Sequence, residues 1–224
     1  MSMTRGVMGG ALVVLVVSSA RIASAQAGDV SRDLDPLGRL NEASRYQIEL
    51  LLDSARVAGL PTAPLESKAL EGISKRVEGR RIVVAVRMVF RSLRDARSVL
   101  GASANADELN AAASALRVGM TRAELAHLAQ TRREKTITIP LVVLSDLITR
   151  GVPRDTASQT ILQLWQRGAA DDDFLGLWRG VERDIVSGTD PGVALLNRAR
   201  EVPLRGPPST PEGARPEGTE NRNP

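Results

Sequence analysis

The sequence predicts an all-α fold: an irregular array of about eight or nine helices arranged as antiparallel helical hairpins. Three observations lead there. From Asp35 onward the apolar residues recur mostly at three- and four-residue spacing, the period of a helix with one buried face. Helix-ending and helix-starting residues stand back to back at Gly59-Leu60-Pro61, Gly119-Met120-Thr121 and Gly151-Val152-Pro153. The chain of 224 residues also has no cysteine and only 2% aromatic residues. Its core must therefore be Leu, Val, Ile and Ala packed between helices, without disulfide support.

The first 25 residues stand apart from this pattern. Arg5 supplies a positive charge, residues 7–20 form an apolar run of about 14, and Ala23-Ser24-Ala25 supplies small residues at a cleavage site. This predicts a cleavable export signal with the mature chain starting at Gln26. The run is short of the roughly 20 apolar residues that a membrane-spanning helix needs. With no cysteine behind it, lipid attachment there is excluded. Residues 26–32 read as a flexible start, 33–202 as one helical domain, and 203–224, rich in Pro and Gly with almost nothing to bury, as a disordered tail.

Within the domain, Asp35-Pro36 is a capping residue followed by a proline, the signal for a helix that carries Leu40, Ala43, Ile48, Leu51, Leu52 and Ala55 and ends at Gly59. A second helix runs over about 64–77. The third, about 80–100, has the most regular pattern: Ile82, Val86, Val89, Leu93, Ala96 and Leu100 step by four and three in alternation. Asn105-Ala-Asp-Glu108 and Thr121-Arg-Ala-Glu124 read as capping boxes opening helices to about 118 and about 133. Residues 136–139 alternate like a strand, but run into Pro140, which suits the first turn of a helix to about 150. Pro153 opens a helix to about 166. Asp171, Asp172 and Asp173 precede an amphipathic run with Phe174, Leu177, Trp178, Val181 and Ile185, ended by Gly188. Asp190-Pro191 starts a last helix to about 200.

The glycine corners connect these helices. Glycine adopts the left-handed conformation that closes a helix, the apolar residue after it folds back on the last turn, and Pro or Thr starts the next helix. The corners lie 60 and then 32 residues apart, so the hairpins read at most as degenerate repeats. The period of about 34 residues and the aromatic pattern of tetratricopeptide arrays are missing.

Charge says less than the isoelectric point of about 10.2 suggests. Losing Arg5 and Arg21 with the signal leaves 28 basic against 26 acidic side chains, and only Lys68, Lys75 and Lys135 are lysines, so arginine's high pKa sets the value. What matters is placement. Measured from Val86 at about 100° per residue, Arg87, Arg91, Arg94 and Arg80 fall at about 100°, 140°, 80° and 120°. They form one basic stripe beside the apolar seam of the third helix. Such a stripe fits an acidic partner, whether an anionic lipid surface, an envelope polymer or an acidic protein. The alternative is a solvated face neutralised by a neighbouring helix. Nucleic acid is not expected, because an exported protein rarely meets it and no aromatics interleave for base stacking.

No catalytic, metal or cofactor site is assigned. His127 is the single histidine, too few for a metal site. The Asp171–Asp173 run reads as helix capping, with weak divalent binding as the competing reading; it lacks the glycine turn and alternating ligands of a calcium loop. Glu182 and Asp184 point to different sides of one helix, and Glu182 suits an ion pair with Arg179 three residues before it. Trp165 and Trp178, spaced with Leu162, Leu164 and Leu177, read as core anchors that would become hot spots for a protein partner if exposed. The resulting expectation is a non-catalytic interaction or scaffold module of the cell envelope, periplasmic or secreted. Its candidate contact residues are Arg80, Arg87, Arg91, Arg94, Trp165 and Trp178, and its partner is an unidentified envelope protein or acidic surface. The alternatives are peripheral binding to an anionic membrane or polymer, and a small-molecule binder or enzyme without a recognisable motif.

Overall fold

A computed structural model describes residues 36–131 and 136–203, with nine α-helices and no strand among them. In chain order these are α1 (Glu42–Val57), α2 (Ala63–Ser74), α3 (Gly79–Leu100), α4 (Ala106–Arg117), α5 (Arg122–Gln130), α6 (Thr138–Thr149), α7 (Arg154–Gln166), α8 (Asp171–Val186) and α9 (Pro191–Glu201). The expected export signal, the 26–32 segment, Asp35 and the tail beyond residue 203 lie outside the described residues.

Local capping chemistry sets most of the boundaries. Asn105 Oδ1 accepts the Glu108 N–H at 2.9 Å and Asp190 Oδ1 the Val193 N–H at 3.0 Å, opening α4 and α9. Thr121 and Glu124 form the full reciprocal box at the start of α5. The first helix departs from expectation. Pro36–Arg39 is only a 3-10 turn, and α1 begins after Asn41, whose side chain accepts the Ser44 N–H at 2.9 Å. The Asn41 oxygen satisfies an amide that the new helix leaves open. From that start Ser44, Ile48, Leu52 and Ala55 face inward, and Ala43 is exposed. The strand-like residues 136–139 run into α6, which begins at Thr138.

Six of the corners share one bond pattern. After α6, the Gly151 N–H donates to the Ile148 carbonyl and the Val152 N–H to the Leu147 carbonyl, both at 3.0 Å, with Gly151 at φ 94° and Val152 buried. The same pair of bonds closes α1 at Gly59-Leu60, α2 at Arg76-Val77, α4 at Gly119-Met120, α7 at Gly168-Ala169 and α8 at Gly188-Thr189. Each satisfies carbonyls that a helix end otherwise leaves open. Five use glycine at the left-handed position; the sixth uses Arg76, at φ 53°. The end of α3 is closed differently. Arg97 Nη1 donates to the carbonyls of Gly101, Ala102 and Ala104, and its Nη2 to the Gly59 carbonyl at 2.8 Å, tying this loop to the α1–α2 corner.

The helices stack in two rows. One row places α1, α3, α5, α7 and α9 in successive contact, and the other α4, α6 and α8. The hairpin pairs α3–α4, α6–α7 and α8–α9 join them, and α2 packs on α3 beside α1. At the centre, α3 packs against α1, α2, α4 and α5. Its inward line of Ile82, Val83, Val86, Val89, Leu93 and Ala96 is buried, and Leu100 is half-buried. The core is aliphatic elsewhere too, including Ile48, Leu65, Leu125, Leu141, Leu144, Leu147 and Ile161; the exceptions are Phe174 and Trp165. Each large side chain so buried contributes about 1.5–3 kcal/mol.

Candidate interaction surface

With one face of α3 committed to the core, its other residues must face outward over a length of about 33 Å. Arg80, Arg81, Arg87, Arg91 and Arg94 are all exposed. Arg87 Nη2 lies 3.5 Å from Gln47 Oε1 of α1, a long contact. None of the five forms an ion pair with another described residue. The one carboxylate on α3, Asp95, is taken by Arg122 of α5 at 2.5 Å. On the adjacent α1, Glu49 pairs with Arg45 and Asp53 with Arg56. The neutralisation by a neighbouring helix that the sequence offered as an alternative is therefore not seen among the described residues.

Apolar side chains accompany the arginines. Val84 and Met88 are 55% and 56% exposed on the crest of α3. On α1, Tyr46, Leu50 and Val57 are exposed and fall within about 40° of one another around the helix. These residues were not singled out from the sequence. The available signal was an apolar pair four residues apart on an otherwise basic face, which only exposure distinguishes from a second buried line.

Trp165 does not belong to this surface, which corrects its placement among the contact residues. It is 7% exposed, its ring centroid lies 6.4 Å from that of Phe174, and its indole N–H donates to Thr131 Oγ1 at 3.1 Å. The line of α7 that carries Ile161 and Leu164 turns it into the core. Trp178 is half-buried in the seam between α6 and α8. Its indole N–H donates to the Asp146 carboxylate, and the Arg150 guanidinium lies 5.6 Å above its ring. Arg150 also pairs with Asp146 at 2.5 Å and with Glu182 at 2.9 Å. Hydrogen bonding to Asp146 raises the Arg150 pKa above its ordinary value. Glu182 thus meets Arg150 across the helix seam, where the sequence suggested Arg179. The structure does not bring the tryptophans and the arginine stripe into one patch.

The other candidates have structural roles. Gln166 Nε2 donates to His127 Nε2 at 2.6 Å, linking α5 and α7. Asp173 accepts the Ala170 N–H at 2.8 Å within the first turn of α8. Asp184 holds α9 through two bonds of 2.8 Å to Arg198, which keep its carboxyl below the ordinary value of 3.8. No group of three or more His, Cys, Asp or Glu residues suited to a metal ion occurs among the described residues. A cleft of about 430 Å³ opens between the 3-10 turn and the end of α2, lined by Arg39, Leu40, Ile73, Ser74, Arg76 and Val77. No described helix is long and apolar enough to cross a membrane. Comparison with protein-family models, with curated proteins and with solved structures gives no match to this chain.

Proposed function

We propose that the protein is an exported, non-catalytic interaction or scaffold module of the cell envelope that meets an acidic partner through the outer face of α3. The observation that carries this reading is the exposure of Arg80, Arg87, Arg91 and Arg94 without an ion-pair partner among the described residues. Several charges of one sign on a single face steer an oppositely charged surface toward it and align it. Export rests on the N-terminal pattern of Arg5, the apolar run and Ala23-Ser24-Ala25.

Two measurements test the two parts. Mass spectrometry of the protein recovered from outside the cytoplasm is expected to find Gln26 at its N-terminus; an intact Met1 and a cytoplasmic location would refute export. In-cell cross-linking is expected to recover a partner from the wild type but not from the Arg87→Glu/Arg91→Glu variant. Equal recovery by both would remove α3 as the contact face.

A further inference from the structure

We propose that the acidic partner of α3 is an anionic lipid bilayer, bound peripherally, with the arginines on the headgroups and Val84 and Met88 dipping between them. This rests on the reading of α3 as the contact face and names what that face meets.

Charge is the first argument. The whole chain carries a formal net charge of only +4, so five outward arginines on one helix more than account for its surplus. The remaining surface is balanced or slightly acidic. A basic face on an otherwise near-neutral molecule is drawn to an anionic plane and orients the molecule upon it.

The arrangement of apolar side chains decides between a bilayer and a protein. On the angular scale that puts Val86 at zero, Val84 and Met88 fall at about 160° and 200°, between Arg91 at about 140° and Arg81 at about 220°. The crest of α3 is therefore an apolar pair bracketed by guanidiniums. A protein hot spot buries large anchors, mostly Trp, Tyr or Arg, in a well-packed desolvated pocket; the apolar side chains here are one Val and one Met standing between exposed arginines. A fluid interface accepts that alternation, because headgroups rearrange around each guanidinium and the short apolar side chains enter the gaps. Arginine stems add to it, lying along the apolar level with their heads in the phosphate layer.

The neighbouring helix continues the surface. Arg87 touches Gln47 on α1, and about 60–100° further round α1 stand Leu50, Val57 and Tyr46, all exposed. A tyrosine there suits the boundary between headgroups and acyl chains. Seven of the eleven exposed large hydrophobics lie on α1 and α3 or on α2 and the corner after it, the end of the molecule that carries the arginines. No described helix is long and apolar enough to cross a membrane.

The test is co-sedimentation of the exported protein with vesicles of phosphatidylcholine alone and of phosphatidylcholine mixed with phosphatidylglycerol. Binding is expected to the mixed vesicles only, and to weaken as salt is raised. Each arginine near an anionic surface is worth about fivefold in affinity, so Arg87→Glu/Arg91→Glu should weaken binding on the order of 30-fold or more. Val84→Ser/Met88→Ser should lower the part of binding that survives high salt. All four side chains are exposed, and circular dichroism should show an unchanged fold. Failure of the wild type to sediment with mixed vesicles would overturn the proposal. So would equal binding by the charge-reversed variant. If vesicles are not bound while a cross-linked acidic protein is lost on charge reversal, the bilayer is the wrong partner and α3 is still the contact face. If neither capture nor sedimentation depends on these arginines, both readings fall together.

Discussion

Two substitutions at equivalent helix corners should change stability in opposite directions. At Gly151 the backbone sits at φ 94°, and a methyl group there would meet nothing closer than Pro191 Cγ at 3.7 Å, an ordinary contact. The cost of Gly151→Ala is therefore conformational. An L-residue in the left-handed region costs roughly 1–2 kcal/mol, and φ 94° lies beyond that region's minimum near 57°, so the upper end applies. Alanine recovers about 0.4–1 kcal/mol by restricting the unfolded chain. The net loss is about 1 kcal/mol. At Arg76, φ 53° is close to the left-handed minimum, so the strain is near the lower end, about 1 kcal/mol. Arg76→Gly releases it and gives back part through the freer unfolded chain, for a net gain of roughly 0.5 kcal/mol. In a domain of this length 1 kcal/mol moves Tm by about 2–4 °C. Circular dichroism during thermal and urea unfolding reads both changes, with an unchanged urea slope as the sign that stability changed without a change in the surface exposed on unfolding. An unmoved midpoint for Gly151→Ala, or a lowered one for Arg76→Gly, would refute the argument from backbone conformation.

Three further outcomes follow from named contacts. The hydroxyl of Ser158 is buried at 1% exposure without a hydrogen-bond partner; Ser158→Ala should stabilise by about 1 kcal/mol, and a lower urea midpoint would show an unseen partner. Trp165→Ala should cost about 3–5 kcal/mol, whereas acrylamide should quench Trp178 fluorescence in a Trp165→Phe variant far more readily than Trp165 fluorescence in a Trp178→Phe variant; equal quenching would contradict the burial of Trp165. Asp184, its pKa lowered by Arg198, contributes in full above its ordinary value of 3.8 and progressively less as pH falls through the lowered one. Amide exchange in α9 should accordingly be faster in Asp184→Asn than in wild type at neutral pH, and the two should converge as pH falls below that lowered value. A difference that persists there would place the clamp elsewhere.

The sequence by itself determined the helices. The seam from Ile82 to Ala96, the caps at Asn105, Thr121 and Asp190, and the corners at Gly59, Gly119 and Gly151 are interactions between residues at most five apart. They form in the same way whatever the distant chain does, so spacing and residue type are enough to read them. Competition between two local signals was harder to judge, and Asn41 took the start of α1 from Asp35-Pro36. The left-handed Arg76 was equally hidden, since its identity gives no warning of its φ. Tertiary structure alone decided everything that depends on which helix lies beside which. Trp165 and Trp178 both stand among apolar residues at helical spacing, yet one is enclosed against Phe174 and the other lies half-open on the α6–α8 seam. Glu182 has an arginine within reach on its own helix and pairs with Arg150 on another. The arginine stripe was legible as a stripe, but only the packing shows that three carboxylates of α1 and α3 are engaged elsewhere: Asp95 by Arg122, and Glu49 and Asp53 within α1. A periodic pattern records which side of a helix is polar. Salt screens exposed charges over about 8–10 Å, so whether that side is neutralised or free depends on the packing that brings the helices together.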